Sequence, residues 1–465
     1  LYVVAVRVSF RYLSFAAAVI CVAAAAASTS FAARTNHKTY ATSATQPLRT
    51  AVFDPFQLNG GSPQAFAMTR RAGAQYARLS ANWREIAPKT LPDGFDASDP
   101  ASPGYSWDGL DATVQGAVDA GLTPILDIND TPKWAYAKRP SGVNEGTPKA
   151  AALGQFTRAL ATHYDGTAAL PAVHTFEVWN EANLSLFMGP VKASAYRGMV
   201  NAVATSVHAV DSKNLVVAGD LDPFGHPAGK KQKWYSVAPL AFMRSLLCLS
   251  KGANPHATCH TPAHFDVWSH HPYTFGGPFG HAKNPDDVEL GDLPSMRALL
   301  RAGVRLHHVV SAHPVQFWVT EFGWDTNPPR RHAASLSLQD RKSPSPYQSG
   351  LYFRSSSLEQ ARPKPVLTAF RFPFVAYLHG STVSVWGRDA TSDKERVTIQ
   401  LRHGKSGSWR TVGYVVANGV GIYRATLKLK ATKSDWLRAV APGSGKSLQF
   451  SLTVPYAPHI GPWGN

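Results

Sequence analysis

Cysteine, methionine and charge are all scarce in this chain of 465 residues. It holds three cysteines and five methionines, and charged residues make up only 17%. So few cysteines exclude a disulfide-dense mini-domain and a zinc-finger array. Low charge beside 44% hydrophobic residues excludes a disordered chain, which needs the opposite balance. No phosphate-binding glycine fingerprint follows any predicted strand, which disfavours a dinucleotide fold. In Pro-Gly-Ser-Gly-Lys446-Ser447, Val440 stands where a phosphate loop requires its first glycine. The pairs His270-His271 and His307-His308 lack the i,i+4 spacing and carboxylate partner of a zinc site, so no metal and no cofactor is expected.

Aromatic residues are plentiful, with 12 Trp, 16 Tyr and 22 Phe. Such a composition suits the flat, weakly polar faces of sugars, and equally a plain aromatic core. Lysine and arginine outnumber aspartate and glutamate by 17. No nucleic-acid motif accompanies that excess, so an anionic cell-wall surface is the expected setting and nucleic acid is not.

Residues 1–33 read as a signal peptide. Arg7 and Arg11 precede an apolar run from Leu13 to Ala27, and small residues follow through Ala33. The run is shorter than the roughly 20 residues of a membrane span, although an uncleaved anchor is the alternative. Export to the outside of the cell follows from this reading. Residues 34–49 are polar and patternless, as in a flexible leader. Cys248 and Cys259 remain, and in an exported chain they are expected to form one disulfide, the alternative being two free thiols.

Between residues 50 and 375, short β-rich runs alternate with helical patterns. Strands are predicted at 50–56, 76–83, 124–129, 174–179, 215–219, 265–270 and 315–320. Helices are predicted at 63–75, 107–120, 148–164, 192–210, 238–249 and 293–306. Nearly continuous apolar strands in regular β–α alternation predict a parallel (β/α)8 barrel. From residue 376 to 465 the pattern becomes short alternating strands separated by Gly and Ser, which predicts a small β-sandwich domain.

A barrel of this kind carries its active face at the strand C-termini. Glu181 and Glu321 end the fourth and seventh strands after strongly apolar runs, where an ionisable group is costly unless it has a partner or a task. Those two strands face each other across an eight-stranded barrel. Two carboxylates on opposite walls of one pit are what glycoside hydrolysis requires. The bland alternative for each glutamate is a salt-bridged barrel residue.

Trp179-Asn180-Glu181 resembles the fourth-strand acid/base motif of clan A glycoside hydrolases, and Thr320-Glu321-Phe322-Gly323-Trp324 resembles their seventh-strand nucleophile motif. Arg78 resembles the second-strand arginine of the clan, and Ser269-His-His-Pro-Tyr273 its sixth-strand pair. The resemblance covers residues 50 to 375 and is nearest the family 5 and family 39 groups. It implies a retaining hydrolase of β-glycosidic bonds in poly- or oligosaccharides, acting as a monomer. Glu181 would be the acid/base and Glu321 the nucleophile. Asn180 would bind the sugar 2-hydroxyl. Tyr273 would hydrogen-bond Glu321, and Arg78 would lower its pKa. His271 would line the sugar site, ahead of His270. Trp83, Trp134 and Trp324 are candidate stacking platforms, each also a candidate core residue.

One departure stands out. Between Asp325 and Gly350 only 24 residues remain for a helix and an eighth strand, and they are rich in Pro, Ser and Arg. Residues 349–355 could substitute for the strand, with a last turn at 363–374. A truncated seam leaves a second reading open, that of a catalytically impaired carbohydrate-binding or wall-associated protein.

Overall fold

The computed structural model describes residues 37–42, 48–138, 145–229, 234–274, 280–323, 350–353, 355, 357–389 and 394–454. The chain forms two units. Arg49–Leu367 makes one; Thr368–Tyr456, joined by the described residues before Arg49, makes the other.

The first unit is built on seven parallel strands. They are β1 (Ala51–Phe53), β2 (Tyr76–Asn82), β3 (Thr123–Asn129), β4 (Thr175–Val178), β5 (Leu215–Leu221), β6 (Val267–His270) and β7 (Gln316–Val319). Each pairs only with its neighbours in chain order. The main helices between them are α1 (Pro63–Arg71), α2 (Asp108–Asp119), α3 (Ala150–His163), α4 (Ala193–Val210), α5 (Pro239–Leu246) and α6 (Leu293–Arg305). Their starts follow local chemistry. The Ser62 hydroxyl accepts from the Ala65 N–H at the head of α1, Pro63 holds the first helical position, and Arg70 and Arg71 complement the C-terminal dipole. Where α3 crosses α4, Gly154 admits the neighbouring helix: a Cβ there would stand 3.2 Å from Ala202.

The sheet curls as a barrel must. Trp318 of β7 packs against Ala51, Tyr76 and Ile125, which lie in β1, β2 and β3. The seven predicted strands and six predicted helices all form, with ends shifted by a few residues. Among the described residues the sheet has seven strands. Residues 325–349 lie outside those described. In the segment expected to replace the eighth strand, Tyr352 makes one isolated bridge to Pro363. Beyond it Pro365–Arg371 is a helix rather than a turn.

The second unit is a β-sandwich. One sheet contains β8 (Phe374–His379), β9 (Thr382–Arg388) and β12 (Ile422–Lys428) in the order β8-β9-β12. The other is centred on β10 (Arg396–Arg402), flanked by β11 (Arg410–Val416) and β13 (Trp436–Ala441). Strict alternation explains β10: Val397, Ile399 and Leu401 are buried, and the residues between them face outward. They meet Val385 and Leu427 of the opposite sheet in one core.

Other features depart from the sequence reading. Neither β8 nor β13 was foreseen; in β13, Trp-Leu-Arg-Ala-Val-Ala begins directly after a charged turn and mixes strand faces with small residues. The stretch read as a flexible leader contains a strand. Thr39–Ala41 pairs in parallel with β11, and Tyr40 lies against the sandwich core. Three residues are too few to show a periodic pattern, and their partner is almost 375 positions away. The predicted signal peptide lies outside the described residues.

Candidate active site

The strand C-termini carry an unusual backbone. Asp130, Trp179, Glu181 and Asp220 all have positive φ, at 57°, 72°, 44° and 45°. Each lies at or just beyond the end of β3, β4 or β5. Non-glycine residues pay about 1–3 kcal/mol for such conformations and keep them where the surroundings enforce them. The surroundings here are visible. The Glu181 N–H donates to the Asp220 carbonyl at 2.9 Å, and the Trp179 indole N–H donates to the Phe187 carbonyl at 2.8 Å. Beside Asp220, Gly219 has φ of +117° and lies so close to β6 that a Cβ would fall 2.2 Å from the Ser269 carbonyl oxygen. Only glycine fits.

Below these ends lies a buried charge cluster. Arg78, in the middle of β2, is 1% exposed. Its Nε donates to Glu177 of β4, and Nη2 stands 3.3 Å from Asp127 of β3. The same guanidinium reaches Asn180 Oδ1 and Glu321 Oε2, each at 3.4 Å. Burial opposes the Arg78 charge, but Asp127, Glu177 and Asp220 hold its pKa above the usual value. Burial pushes Glu177 up to about 8 against the pull of Arg78. One buried arginine therefore serves several acids, and burial favours the protonated form of Glu177 and Asp127 against its pull.

His271 connects the two glutamates. Its Nδ1 is 3.1 Å from Glu181 Oε1 and 3.6 Å from Glu321 Oε2. Those two oxygens can therefore be at most about 7 Å apart. On the far side of the ring, Nε2 is 3.5 Å from Asp220 Oδ1. Asp220 is itself fixed by the Ser269 and Thr320 hydroxyls. Burial works against a charged ring, yet Asp220 and Glu181 raise the His271 pKa overall. The ring is fully buried. Its polar contacts are to carboxylates, two of which are Glu181 and Glu321.

Glu321 accepts from the Tyr273 hydroxyl at 2.6 Å. Its pKa is nevertheless raised, to about 7, by burial. This reverses the expectation that Arg78 lowers it. Arg78 stands 3.4 Å away, but the cost of burying a carboxylate outweighs it. Asp222, just after β5, is also raised, to about 8, by burial and by the neighbouring Glu181 charge.

The other expected site residues fall in different places. Trp83 is fully buried and stacks on Phe156 of α3 at 5.2 Å, so it belongs to the core and offers no face to a sugar. Trp134 is half-buried, edge-on to Trp83, and its indole N–H donates to the Pro88 carbonyl. It borders a cavity of about 310 Å³ with Phe95 and Gln155. Trp324 lies outside the described residues. His270 is buried, its Nε2 2.8 Å from the Val288 carbonyl, and burial lowers its pKa to about 3. Cys248 and Cys259 form a disulfide, with Cα atoms 5.3 Å apart. Among the described residues no group of three or more His, Cys, Asp or Glu is placed to hold a metal ion.

Sequence reasoning gave no role to Glu177. The available signal was a glutamate inside the apolar run Phe176-Glu177-Val178-Trp179, two residues out of phase with the strand end. Asp127 and Asp220 were visible as polar strand ends, but their convergence on Arg78 and His271 was not.

No family model matches the chain, and no curated protein matches it. Solved structures resemble it at low identity. A monomeric beta-xylosidase from Caulobacter crescentus CB15 is 15% identical, with 85% of this chain and 100% of that chain covered and a TM-score of 0.45. The GH39 enzyme from Xanthomonas axonopodis pv. citri is 15% identical, with 86% and 96% covered and a TM-score of 0.46. A bacterial orthologue of human α-L-iduronidase is 14% identical, with 78% and 69% covered and a TM-score of 0.41.

Proposed function

We propose that the chain is an exported retaining glycoside hydrolase that cleaves β-glycosidic bonds in poly- or oligosaccharides. The observation that carries this reading is the single His271 nitrogen that reaches both Glu181 and Glu321. Two carboxyls held this near one another suit a double displacement, in which the groups stand about 5–5.5 Å apart, better than most of the wider range of inverting enzymes.

In the first step Glu181 gives its proton to the glycosidic oxygen. An Oε of Glu321 attacks the anomeric carbon, and the C–O bond to the leaving group breaks. In the second step Glu181 takes a proton from water as the water attacks the same carbon, and Glu321 leaves. Asn180, whose Oδ1 accepts from Arg78, would donate through its amide N–H to the sugar hydroxyl beside the reacting carbon. Tyr273 donates to Glu321 and favours its ionised form. Export is supported by the residues of the predicted signal peptide and by the disulfide. Among the described residues no helix is long and apolar enough to cross a membrane.

Hydrolysis of aryl β-glycosides followed by proton NMR tests the reading. The first-formed sugar should keep its β configuration, and Glu321→Gln should abolish turnover. An α anomer as first product, or equal rates with and without Glu321, would overturn it.

A further inference from the structure

The second unit contains more than half of the chain's excess positive charge. Within Thr368–Tyr456 there are thirteen lysines and arginines against four aspartates and glutamates. Two of those four acids, Asp389 and Asp435, are buried. Asp435 is committed to His403 Nδ1 at 2.9 Å.

The cations are not scattered. On the outer face of β10 and its neighbours, guanidinium groups lie over aromatic rings. Arg402 and Arg438 both sit over Trp409, at 4.8 Å and 4.3 Å from the ring centre. Arg396 sits over Tyr414 at 4.3 Å. The ladder enforces this clustering, because Gln400 faces Arg438 and Arg402 faces Trp436 across β10 and β13. The polar partners they do have are neutral. Arg438 Nε donates to Gln400 and Arg402 Nη2 donates to Gln449. Among the described residues no carboxylate stands within ion-pair distance of Arg396, Arg402 or Arg438. Burial and the Arg402 charge lower the pKa of Arg438, as expected for like charges crowded without a counterion.

At the end of β10, Leu401 pairs with Arg410 of β11, next to Trp409. There Arg410, Lys428 and Lys430 border a cavity of about 320 Å³. The arginine cluster and the basic cavity belong to one unit and are linked by the consecutive residues Trp409 and Arg410.

We propose that this face and its cavity bind an acidic polysaccharide, whose repeated carboxylates dock on the stacked guanidinium groups. A guanidinium held over a ring still has N–H groups for an oxyanion, and its fork matches a carboxylate in two-point geometry. The rings themselves are covered by arginine, so they do not offer the open faces on which single-stranded nucleic acids stack their bases. Polyuronates supply carboxylates at regular intervals on a stiff, extended chain, which suits a flat sheet.

The full chain is tested by affinity electrophoresis and calorimetry against polygalacturonate, against its fully methyl-esterified form, and against single- and double-stranded DNA. Binding should be strong for polygalacturonate, weak for the ester, and weakened by salt. Arg402→Gln with Arg438→Gln should reduce affinity about tenfold or more, the loss of two charge-assisted contacts. Lys428→Gln with Lys430→Gln changes only exposed side chains, and should also weaken binding while leaving thermal unfolding unchanged. Equal binding to acid and ester, unchanged affinity in both double variants, or tighter binding to DNA would each overturn the proposal. None of these readouts depends on glycoside hydrolysis.

Discussion

Tyr273 donates its phenolic hydrogen to Glu321 at 2.6 Å, on a carboxyl whose pKa burial raises to about 7. The hydroxyl therefore acts against burial, and in the proposed mechanism the balance between them sets the pH at which Glu321 can attack. The acidic limb of kcat/KM should fall near pH 7, with activity lost as pH decreases. In Tyr273→Phe the ionised form loses a donor, so the limb should move upward by about one unit, the equivalent of one such hydrogen bond. A pH–rate profile on an aryl glycoside measures this; an unmoved limb would show that Tyr273 does not tune Glu321.

Glu181→Gln should separate the two steps. General acid–base catalysis is worth about a hundred- to ten-thousandfold. In kcat/KM the full loss should appear with a poor leaving group and most of it should vanish with dinitrophenol, which leaves without a proton. In kcat the loss should persist, because the water still lacks its base; azide, which needs none, should restore turnover and yield a β-glycosyl azide. Equal losses across leaving groups would remove Glu181 from the acid role.

Arg78 is the shared counterion of the buried cluster. Replacing it with Leu leaves Glu177 and Asp127 without a cation, and breaking a buried pair costs about 3–5 kcal/mol. Urea unfolding should register a loss of that size. A near-neutral result would mean that the acids simply take up protons.

Thermal stability should fall as pH rises across the neutral range. Asp222 has its pKa raised from 3.8 to about 8, and Glu177 from 4.5 to about 8. Below their unfolded values both states are protonated, and their stabilising effect is complete. Between those values and about 8, unfolding releases their protons, so stability declines with pH and then levels off. Asp222→Asn should flatten the slope of Tm against pH between 5 and 8; an unchanged slope would place Asp222 in an ordinary ionised state.

The barrel was legible because most of its strands are nearly continuous apolar runs in regular alternation with helical patterns, with a local cap signal at Ser62 and Pro63. Glu181 and Glu321 were legible because each interrupts an apolar run at a strand end. The pKa of Glu321 was not, since it depends on how the folded chain buries that carboxyl. Trp83 was misplaced for a similar reason. Its position after β2 pointed to the active face, but the helical turn Trp83–Ile86 rotates the ring outward onto Phe156. The short strand Thr39–Ala41 was hidden because its partner lies at the other end of the chain.

That strand makes the barrel an insertion. Thr42 Oγ1 donates to the Val416 carbonyl of one sandwich sheet and accepts from the Arg424 N–H of the other. The sandwich therefore consists of two pieces of polypeptide that leave the ribosome before and after the barrel between them. The barrel can condense as it emerges, whereas the first strand must wait, unpaired, for β11 to be made. Until then its edge is open to the wrong partner, so the order of synthesis makes those few residues the most exposed point in the folding of the sandwich.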